Sequence, residues 1–130
     1  MNPAGKDVAD ILAAGNLGLT FKTNLFVGME PPTPDNTVTI FDTPGAGPQL
    51  TFDRDERYDY PTIQIRVRNQ NYLDGYTMIH NIKILLHGLS HETWNGTTYE
   101  LIKCMQDPFI LDYDANGLPR FVCNFEIQRK

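Results

Sequence analysis

Between Pro61 and Arg68 the chain alternates without a break, with Ile63, Ile65 and Val67 on one side and Gln64, Arg66 and Arg68 on the other. Side chains of a strand switch faces at every residue, so this pattern predicts a strand buried on one face and polar on the other. Such a strand needs a second layer over its apolar face, and the next segment supplies one. Asn71 is placed to cap a helix, Asp74 sits at the third helical position near the positive end of the dipole, and Tyr72, Tyr76, Ile79, Ile82 and Leu86 recur three and four apart. A helix is predicted from Asn71 to His87, with Gly88 in the left-handed position past its end and Leu89 folding back toward Ile84.

The remaining segments read mostly as strands. Val8, Ile11 and Leu12, followed by Gly15, predict a short N-terminal helix. Leu25 to Val27 has strand character and is stopped by Pro31, Pro32 and Pro34, which lack the donor a ladder requires. Thr37 to Phe41 is rich in β-branched residues and predicts a second strand, antiparallel to the first across the Pro-rich connector. Asp42 to Tyr60 opens with Gly and Pro and continues with mixed charge, which predicts a long loop anchored by Leu50, Phe52 and two tyrosines. Asn95-Gly96 is a type I′ turn signal between a short strand at Thr93 and Trp94 and a longer one from Thr97 to Gln106. A second turn at Asp114 to Gly117 leads into Arg120 to Gln128, where Phe121, Cys123, Phe125 and Ile127 share a face. The expected architecture is one α+β domain spanning residues 1–130. It has a mixed, mainly antiparallel sheet of about five strands, one long helix packed on one face and a short N-terminal helix.

Charge and cysteine content narrow the function. Eleven Lys and Arg against sixteen Asp and Glu give a net charge of -5, and the cations form no block, which argues against broad electrostatic capture of nucleic acid. No window reaches the roughly 20 apolar residues of a membrane span, and MNPAGKDVAD lacks the pattern of a signal peptide, so a soluble chain made in the cytoplasm is expected. Cys104 and Cys123 are too few for a disulfide scaffold and are expected as reduced core residues on distant strands.

Candidate chemistry fails on spacing. Asp112, Asp114, Asn116 and Gly117 match the opening of an EF-hand loop, but the position of the bidentate Glu is Cys123 and strands flank the segment. His87 and His91 are four apart, yet Gly88 breaks the helix between them and no zinc ligand set emerges with His80 or the cysteines. Cys104 lies inside the strand LIKCMQ rather than at a helix N-terminus that would present a thiolate. Gly45-Ala46-Gly47-Pro48 lacks the Lys-Ser or Lys-Thr of a phosphate loop, and Asn95-Gly96-Thr97 is explained by the hairpin. No catalytic, cofactor-binding or metal residue is nominated, and no cofactor is expected.

What remains is a leftover surface. Gln64, Arg66 and Arg68 of the alternating strand and Asn124, Glu126 and Gln128 of the last strand point away from the helix-covered side. In the long segment, Asp53, Arg54, Asp55, Glu56 and Arg57 alternate in sign beside Phe52, Tyr58 and Tyr60, a composition that suits either solvated surface or a salt-bridging subunit contact. The candidate interface residues are therefore Phe52, Asp53, Arg54, Asp55, Glu56, Arg57, Gln64, Arg66, Arg68 and Glu126.

The ordered series LFVGMEPPTPDNTVTIFDTPG, YDYPTIQIRVRNQNY, ILLHGLS, TWNGTTYELIKCMQDPFILDYDANG and FVCNFEIQRK resembles the minor capsid and tail terminator proteins of tailed phages and prophages. The resemblance runs from about Val8 to Arg129 and is most specific in PDNTVTIFDTPG ending at Gly45, YPTIQIRVR ending at Arg68 and LHGL ending at Leu89. It implies a structural protein of the virion tail or neck, assembled in the host cytoplasm, and not an enzyme. It further implies a homo-oligomeric ring, a hexamer, that caps the finished tail tube. The implied partners are other copies of the chain, the major tail tube protein and the head-tail connector protein, with DNA only passing through the lumen and no membrane contact. Two alternatives stay open on the residues alone: a head-tail connector or adaptor component, and a small ligand-binding or hydrolytic α+β domain.

Overall fold

A computed structural model describes residues 1–50 and 57–130. In chain order the elements are α1 (Ala4–Ala14), β1 (Leu25–Val27), β2 (Thr37–Leu50), β3 (Arg57–Arg68), α2 (Tyr72–Leu86), β4 (Glu92–Trp94), β5 (Thr97–Cys104), β6 (Phe109–Tyr113) and β7 (Pro119–Arg129). The fold is α+β, but the sheet has seven strands rather than about five, in the order β1-β2-β3-β7-β5-β4 with β6 also on β7. The additional strands arise because β5 and β6 run one after the other along the same edge of β7, Cys104 opposite Phe125 and Phe109 opposite Val122, with residues 105–108 outside both strands although the Met105 amide still donates to Asn124 O.

The alternating strand lies where its pattern puts it. Ile63, Ile65 and Val67 are fully buried, each facing Phe125, Cys123 and Phe121 of β7 in turn. Ile79, Ile82 and Leu86 of α2 complete that core, and Val8, Ile11 and Leu12 of α1 extend it. Asn71 caps α2 by accepting from the Asp74 amide at 3.1 Å. Past the helix, Gly88 takes φ 86° and donates its amide to Ile102 O, tying the helix end to β5. Leu89 packs at the core margin and its own amide donates to Leu86 O, while Ile84 is exposed; the expected contact between Leu89 and Ile84 is replaced by this anchoring to β5. The type I′ turn is present, with Asn95 and Gly96 both at positive φ.

Two further expectations are corrected. β1 is parallel to β2, with Leu25 opposite Val38, because the Pro-rich connector crosses over the sheet instead of turning back on itself. The stretch from Asp42 to Tyr60 is not a loop over its described part: β2 and β3 continue as a long antiparallel ribbon, through Ala46 opposite Tyr60 and Gln49 opposite Tyr58. Two register shifts, between Thr43 and Ala46 and between Ala46 and Gln49, absorb the Pro and Gly residues that read as loop. Thr43 and Thr62 join their hydroxyls at 2.6 Å at the first irregularity, and Thr62 Oγ1 also donates to Pro44 O at 2.9 Å. Gly45 fits there because a Cβ would stand 2.1 Å from Tyr60 O.

α1 has Pro3 before it, with no capping side chain of its own. Asp42 of β2 does the capping from a distance, accepting from the Gly5 amide at 2.8 Å. At the same helix the fully buried Asp7 accepts from Tyr99 Oη, from Asn95 Nδ2 at 2.7 Å and from Asn2 Nδ2 at 3.2 Å, so one carboxylate ties the N-terminus to the β4-β5 hairpin.

Candidate assembly surface

The face of the sheet turned away from α1 and α2 is built in rows by the strand register. Thr37, Arg68 and Arg120 form one row, Thr39, Arg66 and Val122 the next, then Phe41, Gln64 and Asn124, then Thr43, Thr62 and Glu126. Gln64 and Asn124 join across the strands at 3.0 Å, and Arg66 Nε donates back to Gln64 Oε1 at 2.8 Å while its guanidinium lies 4.7 Å from the centre of the Phe41 ring. Glu126, half-exposed, stands 3.6 Å from Lys103 of β5. A shallow groove of about 300 Å³ lies at this end, lined by Ala46, Tyr60, Thr62, Leu101, Lys103, Glu126, Ile127 and Gln128.

Gln64, Arg66 and Glu126 thus share one surface, as their sequence positions require. Arg68 shares the face but not the exposure, and its expected place on an open surface is wrong. Its side chain is 3% exposed, because the connector between β1 and β2 lies over this end of the sheet. The guanidinium donates to Pro31 O at 2.7 Å, Pro34 O at 2.8 Å, Asp35 O at 3.1 Å and Glu30 Oε1 at 3.2 Å, and Asp114 lies 3.8 Å away. Arg120 stands at 3.1 Å from the same Glu30 carboxylate, whose second oxygen is buried and has no hydrogen-bond partner among the described residues. A crossover without a helix has few donors of its own, and Arg68 fills the deficit with its planar fork. Phe52, Asp53, Arg54, Asp55 and Glu56 lie outside the described residues. Arg57 begins β3, its backbone opposite Leu50.

A second surface was not anticipated. Leu73 and Ile84 are 72% and 65% exposed on the outer side of α2; separately, Phe109, Leu111 and Tyr113 are exposed along β6, where Phe109 lies opposite Val122 and so on the sheet face away from α2. Tyr72 and Tyr76, read as core, are about half exposed, with their rings edge-on to Phe121. The signal was available in Leu73 and Ile84, apolar residues on the side of the helix opposite the stripe.

The groups weighed as candidates for chemistry have other tasks. Asp114 accepts from the amides of Asn116 at 2.9 Å and Leu118 at 2.8 Å, which hold its carboxyl below the usual range; it is an Asx turn rather than a cation loop. His87 Nδ1 accepts from the Cys104 amide at 3.0 Å, and the exposed His91 pairs with Glu100 at 3.0 Å. Lys83 and Asp107 form an ion pair at 2.5 Å that raises the lysine and lowers the carboxyl. Among the described residues no three His, Cys, Asp or Glu side chains converge as metal ligands, and no helix is long and apolar enough to cross a membrane. The surface offers polar rows, an apolar helix side and an open strand edge, which are the means of protein-protein contact.

Comparison with known proteins agrees with that reading. No curated protein matches the chain. Among solved structures, a chain from the virion of a native gene transfer agent particle superposes with a TM-score of 0.69 at 12% sequence identity, over 98% of this chain and 94% of that one, a likeness of fold. The sequence model of a family described as bacteriophage tail terminator protein matches residues 9–130, and the chain belongs to that family of structural phage tail and neck proteins.

Proposed function

We propose that this chain closes into a ring, a hexamer, that caps the tail tube, ends its polymerisation and joins the tail to the head-side connector. The observation that carries the proposal is the family match across nearly the whole fold, residues 9–130. The surface is consistent with it. A ring of identical subunits pairs two different patches head to tail and leaves two annular surfaces for other partners, here the tail tube protein and the connector. The polar rows around Gln64, Arg66 and Glu126 serve as one such patch, and the apolar side of α2 serves as another; the charged residues from Phe52 to Arg57 and the edge of β6 are further candidates. The net charge of -5 suits a lumen through which DNA slides without being held.

The role is structural, and its test is a mass and a tail length. Light scattering on the purified chain, alone and with tail tubes, is expected to give a ring mass in at least one of the two. Arg66→Glu, which alters the polar rows without touching the core, is expected to keep the fold and lose the ring. Phage carrying that change are expected to have tails of uncontrolled length. Tails of normal length that fail to join heads would point to a connector instead, and rings unchanged by Arg66→Glu would remove Arg66 from the interface.

A further inference from the structure

We propose that Cys104 and Cys123 are a redox-active pair that closes to an intrachain disulfide, stapling β5 to β7, when the chain meets a small-molecule disulfide such as oxidised glutathione. Read from sequence, the two cysteines belong to distant strands. In the fold those strands are neighbours: Cys104 is opposite Phe125, and Cys123 is its diagonal neighbour on β7. The sulfurs stand 3.1 Å apart, and both thiols are aimed at one acceptor, Gln106 O, at 2.7 Å from Cys104 and 3.3 Å from Cys123. A disulfide bond is about 2.05 Å long, so the sulfurs have about an ångström to travel. The backbone is held on both sides of the pair, the Cys104 amide by His87 Nδ1 at 3.0 Å and the Met105 amide by Asn124 O at 2.9 Å, so the travel falls to side-chain rotation at Cys104, the less buried of the two cysteines.

The two thiols differ in access, which orders the steps. Cys104 is half-buried and Cys123 is fully buried. The Cys104 thiolate attacks one sulfur of the small disulfide and expels one small thiolate, leaving a mixed disulfide on Cys104. Cys123 then attacks Cys104 Sγ and expels the second small thiolate, which carries the Cys123 proton away. The chain gives up two electrons and two protons, and one oxidised disulfide becomes two thiols. Burial and the neighbouring Cys104 group push the Cys123 thiol up. Capping Cys104 removes the second of these causes as the second attack falls due, while Lys83 and its ion-pair partner Asp107 act on the Cys123 thiol in opposite directions. Gln106 loses two weak S–H donors, and as an exposed residue it replaces them with water.

The pairing does not rest on the tail role, and it is tested on the folded, full-length chain. After incubation with excess oxidised glutathione and acid quench, intact mass is expected to fall by about 2 Da as the thiol titre goes from two to none. Peptide mapping is expected to join the Cys104 peptide to the Cys123 peptide. A lasting glutathione adduct on Cys104 with Cys123 still a thiol, both thiols retained in excess oxidant, or a disulfide between two chains would each overturn the proposal. Cys104→Ser keeps a donor for Gln106 O; in it Cys123 is expected to stay unmodified until denaturant is added. Modification of Cys123 in that folded variant at the wild-type rate would refute the order of attack. The wild-type mass change stands by itself should this variant not fold.

Discussion

Replacing Arg68 with methionine is expected to unfold much of the stability of this small domain, whereas the same change at Arg66, two residues away on the same face, is expected to be mild. Arg68→Met keeps the apolar stem and removes the guanidinium. Three connector carbonyls, of Pro31, Pro34 and Asp35, lose their donor, and so does Glu30 Oε1. Breaking a buried ion pair by deleting one partner costs about 3 to 5 kcal/mol, since the other charge stays behind. Arg120, 3.1 Å from Glu30, keeps that carboxylate partly compensated, which places the loss near the lower end, about 3 kcal/mol. Arg66→Met forfeits one hydrogen bond to Gln64 and one ring contact on a half-buried side chain, about 1 kcal/mol or less. Urea melts of both variants, followed by circular dichroism and by Trp94 fluorescence, measure the difference. Adding Glu30→Gln to Arg68→Met is expected to recover part of the loss, because it withdraws the stranded charge. Equal melts for the two arginine variants, or a loss under about 1 kcal/mol for Arg68→Met, would show that the connector does not depend on this cation.

Ile65→Ala, at a fully buried position between α2 and β7, is expected to cost about 2 to 5 kcal/mol in the same melts, as a cavity-forming truncation. Gly45→Ala is expected to destabilise the β2-β3 ribbon, because its Cβ meets Tyr60 O at 2.1 Å and backbone must move; hydrogen exchange at Thr62 and Ile63, faster than in the native chain, is the readout. Tyr99→Phe strips Asp7 of one donor and is expected to cost about 1 to 3 kcal/mol near neutral pH. Burial, and then the Asp7 carboxylate, push the Tyr99 phenol above its ordinary value. The stability that this proton carries is therefore full below about pH 10 and is lost as pH rises beyond it, a slope that Tyr99→Phe is expected to flatten in melts taken from pH 9 upward.

How far the sequence reaches is clearest along β3. Alternation assigned Ile63, Ile65 and Val67 to the core and Gln64, Arg66 and Arg68 to the other face, and the register agrees for all six. Alternation reports a face, however, and not whether anything lies over it. The cover is a crossover, Gly28 to Asn36, that reaches Arg68 from more than thirty positions away and has no periodicity to announce it. The ribbon from Asp42 to Tyr60 was hidden for a related reason: Pro44, Gly45, Gly47 and Pro48 are loop residues by propensity, and only two register shifts, set by the partner strand, let a ladder pass through them. The cysteine pair depends in the same way on the break between β5 and β6, a tertiary feature. Local rules held wherever one element decides its own geometry, as at the Asn71 cap, the Asn95-Gly96 turn and the Asp114 turn.

The buried Arg68 also changes what the polar face can do. Were all three strand residues open, charge on this face would extend from the connector end to Glu126, and a partner could approach anywhere along it. With Arg68 and Arg120 committed to Glu30, the connector end is closed, and the polar groups left to a neighbour are Arg66, Gln64 and Asn124, then Glu126 with Lys103. These run toward the groove beside Ala46 and Tyr60, where the β2-β3 ribbon continues past the end of β7: Asp59 faces Arg129, while Tyr58 and Arg57 pair in the ladder with Gln49 and Leu50 of β2 and Lys130 lies over the Tyr58 ring. We propose that a neighbouring subunit binds at that end, adding to the part of the β2-β3 ribbon that extends beyond β7. Arg66→Glu and a charge reversal at Arg57 therefore test whether the two positions belong to one contact. If they weaken ring formation separately and no more than additively together, they act at independent sites; coupling between them is what a single continuous interface requires.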